Sequence, residues 1–300
     1  GYLGTYGDDY TFMALPENTS KKAIVDDVTP SKKKGKKPQP KRKPRGGWDT
    51  WTFRYNLYGL LTYERYHPDE RIVDACKKMG DLLIDVYGEG KADLTHYGTR
   101  RGISAATLLE SIMMLYERTR EEKYLDFAEH IVAVSESNPG LRLMGAMLEK
   151  GSVVHPGEGK AYQLMANLLG YLLLHRHTGD ERYLKTVQNA WDNITADHLY
   201  VTGGPWGRHM SYNGNRECFA LPRDFDPDLA DVETCSTTTW IQMNLHLLER
   251  TGQARYAAEA ERAVFNTLMA APAGQGIDWC YPIRPNPATR PCSPAINCGP

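Results

Sequence analysis

The residues with most chemical potential lie in GNRECFALPRDFDPDLADVETCSTTTWIQMNLHLLER, residues 214–250. Here two carboxylates, Glu217 and Glu233, stand 16 positions apart, and a thiol, Cys235, follows the second. Two carboxylates delivered by one loop-plus-helix unit can divide the work of proton donor and of ligand or orienter. Asp231 reads as the N-cap of the helix that carries Trp240, Ile241, Leu245 and Leu248 on one face. That places Glu233 and Cys235 in the first turn, where the helix dipole favours an ionised carboxylate and lowers a thiol pKa. A Glu and a Cys two residues apart can also converge on a metal. Capping and a buried thiol are the plainer reading of the same residues.

Six cysteines occur, at 76, 218, 235, 280, 292 and 298, four of them beyond residue 230. None forms a C-x-x-C pair, so neither a zinc ribbon nor a thioredoxin-like site is indicated, while a mixed Cys/Glu site stays open. The chain holds 18 Tyr and 6 Trp against 6 Phe, a balance suited to sugar pockets with apolar faces and polar rims. Trp51, Tyr55, His96, His155 and Lys160 lie near loops that could face such a pocket.

The elements that must position these residues form a weak internal repeat. Four segments read as an apolar helix, a short turn and a second, amphipathic helix, anchored on Ile72, Tyr124, Tyr183 and Tyr256. Pro68, Gly179 and Gly252 supply helix stops. Turns within the hairpins are tight, at 67–69, 119–121, 178–180 and 251–253. Connections between them are long, at 88–103, 138–158, 197–230 and 270–300. An up-down array sends every long connection to one face, which is where sites are built on rigid scaffolds. The expected fold is all-α, an incomplete (α/α)6-type toroid of antiparallel helix hairpins, with four helix pairs over residues 50–270. The best strand signal is His198–Thr202, and His175 and His177 read as solvated surface.

The net charge of −1 conceals an asymmetry. Residues 31–46 carry nine Lys/Arg and no acid, and without them the remainder has ten more acidic than basic residues. An acidic body argues against nucleic-acid binding. The basic run, with its prolines and no apolar residue, is expected to be a disordered insertion. The longest apolar stretch, Leu168–Leu174 with Gly170 inside it, is far too short to span a membrane.

Gly214, Glu217 and Phe219, then Leu221-Pro222, then Glu233-Thr234-Cys235, stand in an order that resembles glycoside hydrolase family 127, the β-L-arabinofuranosidase-like proteins. GYLGTY at the start, Arg54–Tyr58, LDFAEHIV, Gly159–Tyr162 and YVTGG extend the resemblance over nearly the whole chain outside the basic run. It implies an (α/α)6 catalytic barrel normally followed by β-sandwich domains. Residues 1–300 then read as one barrel domain cut at both ends. It further implies a retaining glycosidase that releases a terminal pentofuranose such as β-L-arabinofuranose, with a plant-type arabinose-containing glycan or oligosaccharide as its carbohydrate partner. By resemblance, Glu217 matches the acid/base, and Glu233 and Cys235 match two zinc ligands. The family's adjacent cysteine pair is replaced by Cys292 and Cys298, either of which could complete the zinc site and serve as nucleophile; Asn297-Cys298 is the nearer match. Relatives often place polar sugar-binding groups near His155 and Lys160. Two other readings stay open: a degenerate carbohydrate-binding relative, or another α/α-toroid sugar enzyme such as an epimerase or unsaturated-uronide hydrolase.

Overall fold

A computed structural model describes Leu3, Phe12 and residues 47–208, 217–273 and 278–286. The basic run 31–46 and both Cys292 and Cys298 lie outside the described residues. The chain divides into two compact units, Gly1–His130 and Ile131–Pro300.

In the first unit, α1 (Asp49–Tyr66) and α2 (Glu70–Tyr87) form one hairpin. Pro68 separates them, and the Asp69 carboxylate accepts a hydrogen bond from the Arg71 N–H at 2.9 Å, capping α2. Val73, Cys76, Met79, Gly80, Leu83 and Tyr87 line the buried stripe of α2. Gly80 is required by close packing, because a Cβ there would sit 2.6 Å from Leu115 and 2.8 Å from Tyr124. After the short α3 (Ile103–Ala106), α4 (Leu108–Thr119) packs on α1 and turns into α5 (Glu122–Ser137). A buried ion pair, Arg54 with Glu110 at 2.7 Å, ties α1 to α4.

The second unit contains α6 (Leu143–Glu149), then the hairpins α7 (Ala161–Thr178) with α8 (Glu181–Asp197) and α9 (Thr234–Thr251) with α10 (Ala254–Arg262). Helix α7 is buried on nearly every side from Ala161 to Leu174, as a helix apolar all round must be. It packs on both α8 and α9. Gly179 (φ 70°) and Gly252 (φ 67°) end α7 and α9 in the left-handed region, where glycine carries no Cβ penalty. Trp191 on α8 stacks on Trp240 of α9 and donates to Asn244 Oδ1 at 2.7 Å. In each unit the first helices of hairpins pack on each other, the local pattern of a toroid. Among the described residues no helix is long and apolar enough to cross a membrane.

Three strands pin the α9 end of this unit: β1 (Trp206–Arg208), β2 (Ala230–Glu233) and, after two short strands β3 (Pro272–Ala273) and β4 (Asp278–Trp279), β5 (Pro282–Ile283). Strand β2 lies in the middle, antiparallel to both β1 and β5, with Val232 opposite Trp206 and Ile283. This corrects two expectations. The strand is not at His198–Thr202, because the chain turns there: Tyr200 N–H donates to Gly204 O at 3.0 Å. Gly203 has φ 90°, and a Cβ on Gly204 would lie 2.3 Å from Val232. Nor does Asp231 cap α9. Pairing on both edges keeps the chain extended through Glu233, so the helix starts at Thr234, and the Asp231 carboxylate lies 3.5 Å from Arg284 Nε.

Two further expectations change. The 138–158 connection contains α6, whose N-terminal amides at Met144 and Gly145 donate to the Glu136 carboxylate at 2.8 and 2.9 Å. His175 is not solvated surface: its side chain is 12 % exposed and its Nε2 lies 3.3 Å from Glu181. His177 is half-buried.

His198, at the C-terminal cap of α8, is buried between Trp206 and Phe219, and its ring nitrogens have no hydrogen-bond partner among the described residues. Burial, only partly opposed by Asp197, pushes its pKa down to about 4. The folded protein therefore holds the neutral ring. That stability is complete above the unfolded value near 6.5 and is lost as pH falls toward 4. The full loss corresponds to about 3 kcal/mol. We expect the stability of His198→Phe, measured relative to the parent by urea titration, to improve by that order between pH 7 and pH 4. An unchanged difference would contradict the burial of an uncharged ring.

Candidate active site

Residues from three places in the second unit converge: the start of α7, the segment at Glu217, and the β2–α9 junction with the chain just before β5. Backbone bonds set the first two side by side. Phe219 N–H donates to Gly159 O at 2.8 Å, Ala161 N–H to Glu217 O at 3.3 Å, and Glu217 N–H to Arg208 O at 3.2 Å. Glu217 itself has φ 65°. A glutamate held in the left-handed region costs on the order of 1–3 kcal/mol and persists only where surrounding structure imposes it.

The side chains form one polar cluster. Lys160 Nζ donates to Glu217 Oε2 in a short contact and lies 3.4 Å from Glu233 Oε2. Ser236 Oγ donates to Glu233 Oε2 at 3.2 Å. The Tyr281 hydroxyl donates to Glu233 Oε1 in another short contact and lies 3.3 Å from Glu217 Oε1. The Cys235 thiol lies 3.8 Å from the same hydroxyl. The Glu217 side chain is 27 % exposed, whereas that of Glu233 is 3 % exposed, so only the first can meet an arriving ligand while in this arrangement.

The electrostatics differ from what a helix N-terminus alone suggests. Burial and the adjacent Glu217 push Glu233 up to about 7, against the pull of Lys160. Burial, with the Glu233 carboxylate next, pushes the Cys235 thiol well above its ordinary value. The expected lowering by the helix dipole is outweighed. Burial works against the charge on Lys160, but Glu233 and Glu217 outweigh it and raise its pKa.

The sequence-derived candidates thus separate. Glu217, Glu233, Cys235 and Lys160 come together. Lys160, expected among the sugar-binding groups, is buried in ion pairs with the carboxylates. His155 is exposed and lines a separate shallow groove with Pro139, Arg142 and Lys150. Trp51, Tyr55 and His96 belong to the first unit. There Trp51 and Tyr55 form an aromatic run with Trp48, with Arg54 over the Tyr55 ring at 4.7 Å, and His96 is exposed on a 3-10 turn. Cys292 and Cys298 lie outside the described residues. Cys76, Cys218 and Cys235 are thiols, and Cys280 is disulfide-bonded.

Sequence reasoning missed Tyr281 and Ser236. Tyr281 sits 46 residues beyond Cys235 and is tied to α9 by its own carbonyl, which accepts from Thr234 N–H at 3.0 Å. The one available signal was that the chain after the fourth hairpin had to return to the face carrying Cys235.

Glu233, at the end of β2, and Cys235, in the first turn of α9, are one oxygen and one sulfur donor, the donor types that zinc takes. Among the described residues no group of three or more His, Cys, Asp or Glu side chains is arranged to hold a metal.

A family model for the β-L-arabinofuranosidase GH127 catalytic domain matches residues 1–296. A non-reducing end β-L-arabinofuranosidase of Bifidobacterium longum subsp. longum is 22 % identical over 257 residues, covering 78 % of this chain and 37 % of that protein. Among solved structures, a GH127 β-L-arabinofuranosidase from Geobacillus stearothermophilus T6 superposes with a TM-score of 0.64 at 21 % identity, over 79 % of this chain and 39 % of that one. A GH76 α-mannanase from Bacteroides thetaiotaomicron gives 0.56 at 14 % identity, over 82 % of this chain and 64 % of the other. The unsaturated glucuronyl hydrolase of Bacillus sp. GL1 gives 0.54 at 12 % identity, over 81 % and 63 %. The fold is of the all-α, α/α-toroid type these structures share. The chain spans well under half the length of the two arabinofuranosidases it matches.

Proposed function

The chain belongs to the family of GH127 β-L-arabinofuranosidase catalytic domains, and on that footing we propose that the protein is a retaining glycosidase releasing terminal β-L-arabinofuranose from an oligosaccharide or glycan. The observation that carries this reading is the cluster itself. A partly exposed glutamate, imposed on left-handed backbone, stands beside a buried carboxylate–thiol pair.

Glu217 is the general acid. Its proton goes to the departing glycosidic oxygen as the C–O bond breaks, and a cysteine sulfur takes the anomeric carbon from the opposite side. Glu217, now a carboxylate, then takes a proton from the water whose oxygen displaces the sulfur. Two inversions leave the configuration unchanged. The family resemblance assigns the nucleophilic sulfur to Cys298, with Cys292 as the other candidate, and Glu233, Cys235 and one of these two as the residues that would hold zinc; Cys280 is disulfide-bonded, which leaves only one of the two as a thiol. Bound zinc supplies the positive charge that keeps such thiols deprotonated at neutral pH.

Proton NMR of the complete protein acting on a β-L-arabinofuranosyl disaccharide tests this. We expect β-L-arabinofuranose to appear first, before mutarotation. First appearance of the α anomer would refute the double displacement, and absence of arabinose release would refute the activity.

A further inference from the structure

Lys160 is the residue of the cluster whose chemistry the glycosidase reading leaves unused. Its side chain is 8 % exposed, so it has no path to a sugar that does not first break its ion pairs. A buried ammonium must be paired, and its partners here are both carboxylates. The backbone fixes the pairing as well: Lys160 bridges Cys218, the neighbour of Glu217, in an antiparallel contact.

The hydrogen-bond roles around Glu217 are not symmetrical. An ammonium has three donors and no acceptor, so Oε2, which it holds, can only accept. The Tyr281 hydroxyl contacts Glu233 Oε1 and lies 3.3 Å from Glu217 Oε1. Oε1 is not the oxygen that the ammonium holds, so it is the one left to carry a proton.

We propose that Lys160 is a positioning residue that confines the catalytic proton of Glu217 to Oε1, by holding Oε2 as a permanent acceptor between the two carboxylates. When substrate arrives, the proton on Glu217 Oε1 goes to the glycosidic oxygen. No rotation of the carboxyl group is needed, because Lys160 keeps the other oxygen out of play. The assignment rests on Glu217 being the acid/base.

The test uses the complete protein with Lys160→Met and Lys160→Ala. On an unactivated arabinofuranoside, Lys160→Met should lower kcat by about 100-fold or more while KM moves less than about threefold. On a dinitrophenyl arabinofuranoside, whose leaving group needs no acid, the loss in the first step should stay under about tenfold. Added ethylammonium should restore Lys160→Ala by about tenfold or more, and tetramethylammonium, a cation without N–H donors, should not. A raised KM with kcat preserved would instead make Lys160 a substrate contact and overturn the proposal. Equal losses on both substrates without amine recovery would reduce it to a structural residue, with the same consequence.

Melting temperatures of Lys160→Met, Glu217→Gln and the double variant give a readout independent of activity. Non-additive shifts are expected. Should Lys160→Met alone fail to fold, a folded double variant supports the pairing and an unfolded one overturns it. Additive shifts in an active enzyme contradict only the role of Lys160. Coupled shifts in a wild-type protein that releases no arabinose contradict the glycosidase reading on which that role depends.

Discussion

Replacing Glu217 by Gln lowers turnover of an unactivated β-L-arabinofuranoside by about 10³-fold, within the span expected for loss of a positioned general acid. The amide keeps the size and one acceptor of the carboxyl group but cannot give up a proton to a leaving oxygen. Proton donation develops in the transition state, so kcat carries the loss and KM changes little. A dinitrophenyl arabinofuranoside, which departs without protonation, recovers most of the first step. The second step does not recover, because the same residue must then take a proton from water. Glycosyl-enzyme therefore accumulates as a burst of released phenol. Steady-state and pre-steady-state measurements on the two substrates separate these outcomes. Unchanged turnover on the unactivated substrate would remove Glu217 from the mechanism, and its strained, half-open placement would need another explanation.

The second large effect concerns the metal. Stoichiometric zinc should be present in the complete protein and should fall to a small fraction in Cys235→Ser and in Cys298→Ser, since each removes a thiolate from the zinc site we propose. Glu233→Gln should weaken zinc binding as well, because an amide oxygen carries no charge to set against the cation. Chelation should abolish turnover, and added zinc should restore it in the wild type alone. Element analysis and activity on the same samples decide the matter. Cys292→Ser gives the internal comparison: full zinc in that variant leaves Cys298 as the tail ligand, and zinc lost from it but kept in Cys298→Ser reverses the assignment. Zinc-free wild-type protein with full activity would show that the thiolate chemistry does not operate here.

What the sequence by itself determined is whatever depends on near neighbours along the chain. The helix pairs follow from apolar residues at helical spacing, and the turns at 67–69, 119–121, 178–180 and 251–253 fall where α1, α4, α7 and α9 end. Pro68, Gly179 and Gly252 act through their own backbone torsions, so no tertiary contact is needed to read them. Cys235 falls in the first turn of α9 for the same reason. Only the tertiary structure decided the rest. Helix α6 is capped by Glu136 from the end of α5, a contact that no local pattern advertises. The extended chain through Asp231 depends on β1 and β5 pairing with both edges of β2. The sign of the Cys235 pKa shift depends on burial beside Glu233, which overrides the local helix dipole. Lys160 meets Glu233 across 73 residues and Tyr281 meets Cys235 across 46. Periodicity and capping are short-range properties of a chain. Which distant side chains share a buried site is set by how the helices and strands between them pack, and burial there reverses charge preferences that sequence position alone would assign.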